Sequence, residues 1–269
     1  METPEGLFQA GKLTDAVQLA KEAVKSHPSD VAARSILCEL LCFAGDLERA
    51  DKQLDTITTL NPDAMQGVSL LRHLIRSEYS RREVFEEGRI PAFLEEPTAA
   101  QQNRLQALLC LREGNAAEAQ RLIREAESQE VDVKGTLNGE PFSGFRDLDD
   151  VLGPIIEVYT ATGKYYWFDR SQIVTLEFNP IQHLSDMLWR AGRIQTTGEI
   201  TGRVHVPAVY HRSASSEDER IRMGRATDWI PQGDSEIVCG AGCREFLAGD
   251  DAVTLLQIKE ITFESSAAE

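Results

Sequence analysis

The sequence predicts an α+β protein. A tetratricopeptide-like array of helical hairpins over residues 1–130 is followed by a β-rich antiparallel region with a few short helices. Three observations carry this reading. "AGKLTDA" at Ala10–Ala16 returns as "AGDLERA" at Ala44–Ala50, 34 residues later. Near residue 130 a helical composition of Ala, Leu, Glu and Arg gives way to Val, Ile and Thr alternating with polar residues. Of 18 aromatic residues, 13 follow that point, including all three tryptophans.

The repeat register extends beyond the opening motif. Gly11 and Gly45, Leu13 and Leu47, Ala16 and Ala50, and Pro28 and Pro62 all match at 34 residues. Val31 to Ala64 therefore reads as one unit, with Leu37 and Leu41 on its first helix and Ala50, Leu54 and Ile57 on its second. Gly45 relieves the steric cost of the turn. Small Ala50 lets the helices approach, and Pro62 ends the unit because the residue before a proline avoids the helical region. "REGNAAEAQRLIREAES" repeats the design, with Gly114 in the turn and Ala119 and Ala126 on the second helix, in a unit from Ala100 to about Glu130. Gly45 and Gly114 lie 69 residues apart, two repeats plus one, so Met65–Pro97 is expected to be a degenerate unit without its glycine turn. Four antiparallel helix pairs follow.

Residues 131–145, "VDVKGTLNGEPFSGF", read as a linker beginning with a hairpin, "LNGE" being a type I′ turn signal. The β-rich region is expected over 146–269. "RDLDDVLGPI" suggests a short helix ended at Gly153-Pro154. "IIEVYTATGKYYWFD" reads as two strands, with Tyr165 and Trp167 on one face and Tyr166 and Phe168 on the other. "SQIVTLEF" is a strand, "PIQHLSDMLWRAG" a helix carrying Trp189, and "GEITGRVHVPAVY" a strand pair or one bent strand. "SSEDERIRMGR" opens a helix with serine and early acids. "VCGAGCREFLAG" and "AVTLLQIKEITFE" supply the last strands.

Hydrophobic residues make up 42% and charged residues 27%, the balance of a globular domain, and no apolar run is long enough to span a bilayer. "METPEGLFQAGK" lacks a basic start and apolar core, so a cytoplasmic location is expected. The net charge of −16 divides as −7 over residues 1–130 and −9 over 131–269. Such a surface repels nucleic acid and anionic membranes and suits a partner with a basic segment.

No phosphate loop, dinucleotide fingerprint, zinc-protease helix or nucleophile elbow occurs. Five cysteines, an odd number, do not form a disulfide framework, and Cys239 and Cys243 in "CGAGC" lack the partners of a zinc set, which leaves packing in a glycine-rich strand or turn. His205 and His211 flank "VPAVY" and read as satisfied rather than ligating residues. Arg222, Arg225 and Trp229, within "EDERIRMGRATDWI", form a secondary candidate binding patch for an anion or a peptide. The plainer reading pairs those arginines with neighbouring acids. Trp167 and Trp189 are expected to be structural. No catalytic residue, cofactor or metal is assigned. The alternative to a non-enzymatic adaptor is a ligand-binding protein or enzyme that uses the β-rich region, in a pocket where His205, Arg225 and Asp228 would converge.

"GKYYWFDRSQIVTLEF", "DMLWRAG", "GRVHVPAVY", "RMGRATDW" and "CGAGCREFLAGD", in that order after a helical-repeat start, resemble the ImpE/TagJ family of type VI secretion accessory proteins, over essentially the whole chain. The resemblance implies a non-enzymatic protein that binds the N-terminal helix of the small contractile-sheath subunit, with a link to the ATPase that disassembles the sheath. A repeat array offers a concave surface for such a helix. Its inward positions are expected to be Ala32, Ser35, Glu39 and Cys42, with Arg72 and Arg76, four apart on one helix face, opposite Glu39.

Overall fold

The computed structural model describes residues 2–264. Two helical hairpins come first: α1 (Pro4–Gln9) with α2 (Leu13–Ser26), and α3 (Val31–Phe43) with α4 (Leu47–Leu60). A long helix follows, α5 (Met65–Arg82), then a third hairpin, α6 (Ala99–Arg112) with α7 (Ala116–Glu127). The tight turns place Gly11, Gly45 and Gly114 at φ of +84°, +74° and +76°, the left-handed region that explains the glycine register. Ala16, Ala50 and Ala119 are fully buried where paired helices touch. Asp30, Asp46 and Asn115 cap their helices through backbone N–H groups of Ala33, Arg49 and Glu118.

The array holds three pairs and one single helix, not four pairs. After α5 the chain makes a π turn (Glu83–Glu87), leaves through Gly88 at φ +89° and runs extended past Pro91 and Pro97. Those prolines deny the expected second helix. Ala92 instead lies along the edge of the sheet: its N–H donates to the Tyr165 carbonyl and its carbonyl accepts from Trp167 N–H, both at 3.0 Å.

The β region comprises β1 (Lys134–Leu137), β2 (Glu140–Ser143), β3 (Phe145–Asp147), β4 (Ile155–Thr160), β5 (Tyr165–Asp169), β6 (Ile173–Phe178), β7 (Trp189–Thr196), β8 (Thr201–Pro207), β9 (Thr227–Pro231), β10 (Val238–Gly242), β11 (Glu245–Ala248), β12 (Asp251–Thr254) and β13 (Glu260–Phe263). One helical turn, α8 (Glu219–Arg222), precedes β9. Eight strands form one sheet in the order β2-β1-β13-β6-β7-β8-β4-β5; β12-β11-β3 and β10-β9 form smaller sheets. The segment expected as a linker is the β1–β2 hairpin at the edge of the large sheet, turning through Asn138 and Gly139 at positive φ.

Two other expectations fail for identifiable reasons. Trp189 begins β7 instead of sitting on a helix, since Trp189–Gln195 pairs with Thr201–Pro207; only a 3-10 turn (Leu184–Met187) precedes it. Gly192 is a close-approach residue, not a helix end: a Cβ there would meet the Glu177 carbonyl oxygen at 2.4 Å. "RDLDDVLGPI" is a chain of turns, because Asp147 and Asp149 accept backbone N–H groups two residues on and so compete with helix.

Period-two alternation gives the large sheet two buried faces. Tyr159, Tyr165, Trp167 and Trp189 join the core of the helices. Ile156, Val158, Phe168, Val204 and Val206 join a second core with Phe145, Phe246 and Phe263 from the smaller sheet and β13. The predicted split of Tyr165 and Trp167 from Phe168 is the one observed. Helices and sheet thus share a hydrophobic core across their junction.

Candidate protein-binding groove

Buried charges lock that junction. Arg81 of α5 donates to both Glu157 oxygens at 2.8 Å and to the Val209 carbonyl at 3.0 Å. Arg244 reaches the other Glu157 face at 3.0 Å and Asp147 at 2.5 Å. Burial alone would raise the Glu157 carboxyl, but the two guanidiniums hold it below its usual range. Tyr159 O–H and Trp189 Nε1 both donate to Glu78 of α5, at 2.5 and 3.2 Å. Arg104 of α6 donates to the Asp150 and Val151 carbonyls at 2.7 and 3.0 Å. Of these residues only Trp189 was singled out from the sequence, as structural. The signal available was a lone acid, Glu157, inside the apolar run "IIEVYT".

The secondary candidate patch is a latch within the chain. Lys12, at the N-cap of α2, makes no capping hydrogen bond. Glu219, more than 200 residues away, accepts Leu13 N–H at 3.0 Å and Thr14 N–H at 2.8 Å in its place. Arg222 pairs with Glu219 at 3.1 Å, Arg225 donates to the Gln9 carbonyl at 2.7 Å and lies over the Phe8 ring, and Trp229 packs edge-on to Tyr210. These residues are occupied by their own fold. Arg225 sits at α1 and His205 beside α5, so they do not share a pocket.

The groove proper lies between α3, α4, the start of α5 and the Leu184–Met187 turn. It is a cleft of about 430 Å³ with an apolar floor of Leu54, Ile57, Val68, Leu71, Leu74 and Trp189. Ser35 and Glu39 line it as expected. Glu39 accepts Ser185 N–H at 2.7 Å, so the β region closes one end. The other expected positions fall elsewhere. Ala32 is exposed outside the lining, and Cys42 is buried one turn beyond it. Burial and the Cys38 hydrogen bond drive the Cys42 thiol upward, the hydrogen bond contributing more. Arg72 pairs with Asp51 and Asp55 of α4 instead of facing Glu39, and Arg76 is exposed beside Gly163. Helical spacing puts residues three and four apart on one face. The array curvature that selects which face is concave was not available from it. Leu70, an exposed apolar side chain, also lines the groove. His205 lines it with an unpartnered Nδ1, and burial lowers its pKa.

Residues 7–74 match the tetratricopeptide repeat family and residues 139–262 match the ImpE protein family. The type VI secretion system accessory component TagJ of Pseudomonas aeruginosa is 31% identical over 98% of this chain and 92% of its own. The chain belongs to the ImpE/TagJ family. The crystal structure of protein VPA1032 from Vibrio parahaemolyticus has the same fold, with a TM-score of 0.91, 29% identity and 98% of both chains covered. This ImpE/TagJ member is thus a helical-repeat protein joined to a β region through a buried ionic core. None of its helices among the described residues is long and apolar enough to cross a membrane.

Proposed function

We propose that this protein is a non-enzymatic adaptor of bacterial type VI secretion that acts in the cytoplasm. It holds an amphipathic helix of a protein partner in the groove between α3–α5 and β7. The partner that fits best is the N-terminal helix of the small contractile-sheath subunit, which would place the protein near the ATPase that disassembles the sheath. The observation that carries the reading is the apolar floor from Leu54 to Trp189, with Ser35, Glu39, His183 and Asp186 lining the same cleft. Apolar clefts rimmed by polar groups are how helices are captured. Family membership and the repeats support an adaptor over a catalyst.

Gly67 tests this directly. A Cβ there meets nothing within 4 Å, and Gly67 lines the cleft, so Gly67→Trp puts a large side chain into the groove. Together with Ser35→Trp it should abolish calorimetric binding of the sheath-subunit N-terminal peptide from the same source while leaving the melting curve intact. Parent-like affinity in the folded double variant would remove the groove from consideration.

A further inference from the structure

Most arginines of this acidic chain reach a carboxylate. Arg193 of β7 and Arg203 of β8 are among those that do not: among the described residues neither has an ion-pair partner. They sit directly opposite each other in the strand register, a like-charge pairing that costs stability by itself. Glu177 is the β6 partner of Arg193 in register, yet the two form no ion pair. Both arginines are exposed and line a second cleft of about 750 Å³, which shares Leu70 and His205 with the groove. Trp189, Ala191 and Arg193 point to one face of β7. The arginine pair therefore lies roughly 13 Å along the strand from the groove floor, about nine residues of a bound helix. The carboxylates of Glu39 and Asp186 line the groove itself. His205 lines both clefts, and its buried Nδ1 has no hydrogen-bond partner among the described residues.

Resting on the adaptor reading, we propose that the groove is electrically polarised and selects a helix with acidic residues at one end. Two carboxylates there seat on Arg193 and Arg203, and a helix of opposite polarity along its length is rejected. Paired guanidiniums bind carboxylates through charge-assisted hydrogen bonds, and their mutual repulsion in the free protein is relieved on binding. The floor supplies burial, and the arginine pair supplies register and direction.

The test uses designed peptides and is independent of the sheath subunit. One 18-residue amphipathic peptide carries leucines on one face and two glutamates in its last turn; a second has glutamines in their place. Affinities are measured for the full-length protein and for Arg193→Gln/Arg203→Gln, at low and moderate salt. The glutamate peptide is expected to bind the parent at least tenfold more tightly than the glutamine peptide. The double variant should lose that preference and its salt dependence. Equal binding of the two peptides, a preference that survives in the variant, or no binding of either overturns the proposal. So does tighter binding of a single-stranded oligonucleotide that the same variant abolishes. If sheath peptide binding fails while the glutamate preference holds, the partner named above is wrong and the polarised groove stands. The reverse result leaves the groove and removes the arginine pair.

Discussion

Arg81→Met tests whether the ionic junction holds helices and sheet together. The side chain is 1% exposed and donates two 2.8 Å hydrogen bonds to Glu157 and one at 3.0 Å to the Val209 carbonyl. Methionine fills much of the volume but leaves Glu157 with only Arg244 and Tyr165, and leaves the Val209 carbonyl without this donor. Breaking a buried pair from one side costs about 3–5 kcal/mol, because the surviving charge is stranded away from water. For a chain of this size that is a fall in Tm on the order of 10 °C. Arg81→Lys should fall between, since it keeps the charge but not the bidentate fork. Adding Glu157→Gln to Arg81→Met removes the stranded charge, so the double variant should lose less than the sum of the singles, with a coupling of about 0.5–3 kcal/mol. Thermal melts followed by tryptophan fluorescence suit the measurement, as Trp167 and Trp189 both bond into this network. An Arg81→Met melt within 2 °C of the parent, or strictly additive losses, would refute the reasoning.

Other outcomes follow from single contacts. Glu219→Ala removes the borrowed cap of α2 and should cost about 0.5–2 kcal/mol, with faster hydrogen exchange confined to α1 and α2. Trp167→Ala, at a fully buried site, should cost about 3–5 kcal/mol in a urea melt. Gly45→Ala and Gly114→Ala share the left-handed strain, but a Cβ at Gly45 would meet Ala214 at 2.9 Å and one at Gly114 meets nothing; Gly45→Ala should lose about 1–3 kcal/mol more in paired melts. His211 stacks on Phe85, and burial, then the charges of Arg81, Arg212 and Arg82, push its pKa well below 6.5. The folded state refuses a proton that the unfolded chain accepts, so stability present above pH 6.5 is lost as pH falls below it. Asp149, pushed up to about 7 by burial and the Asp147 charge, acts in the opposite sense, adding stability at low pH that fades as pH rises through 7. Comparing parent with His211→Phe cancels that contribution. The variant should lose less stability between pH 7 and 5, by up to about 1.4 kcal/mol per pH unit, and parallel Tm–pH curves would contradict the assignment.

The amino-acid sequence by itself determined what depends on near neighbours. The 34-residue register, the glycine turns and the small alanines at helix contacts are local requirements, and a repeat displays them several times over. Alternation in "YYWFD" assigned Tyr165 and Trp167 to one sheet face because side-chain direction in a strand follows from position alone. Tertiary structure decided whatever required two distant segments to meet. Trp189 went into a strand because β8 was there to pair with it, against the helical reading of its own neighbourhood. The start of α2 was capped by Glu219, the second half of the degenerate unit was given to the sheet edge at Ala92, and Arg72 was turned to α4 and away from Glu39. The groove combined one expected wall, Ser35 and Glu39, with a floor and far side drawn from α4, α5 and β7. Burial and charge pairing act through space, and sequence spacing encodes distance only along the chain.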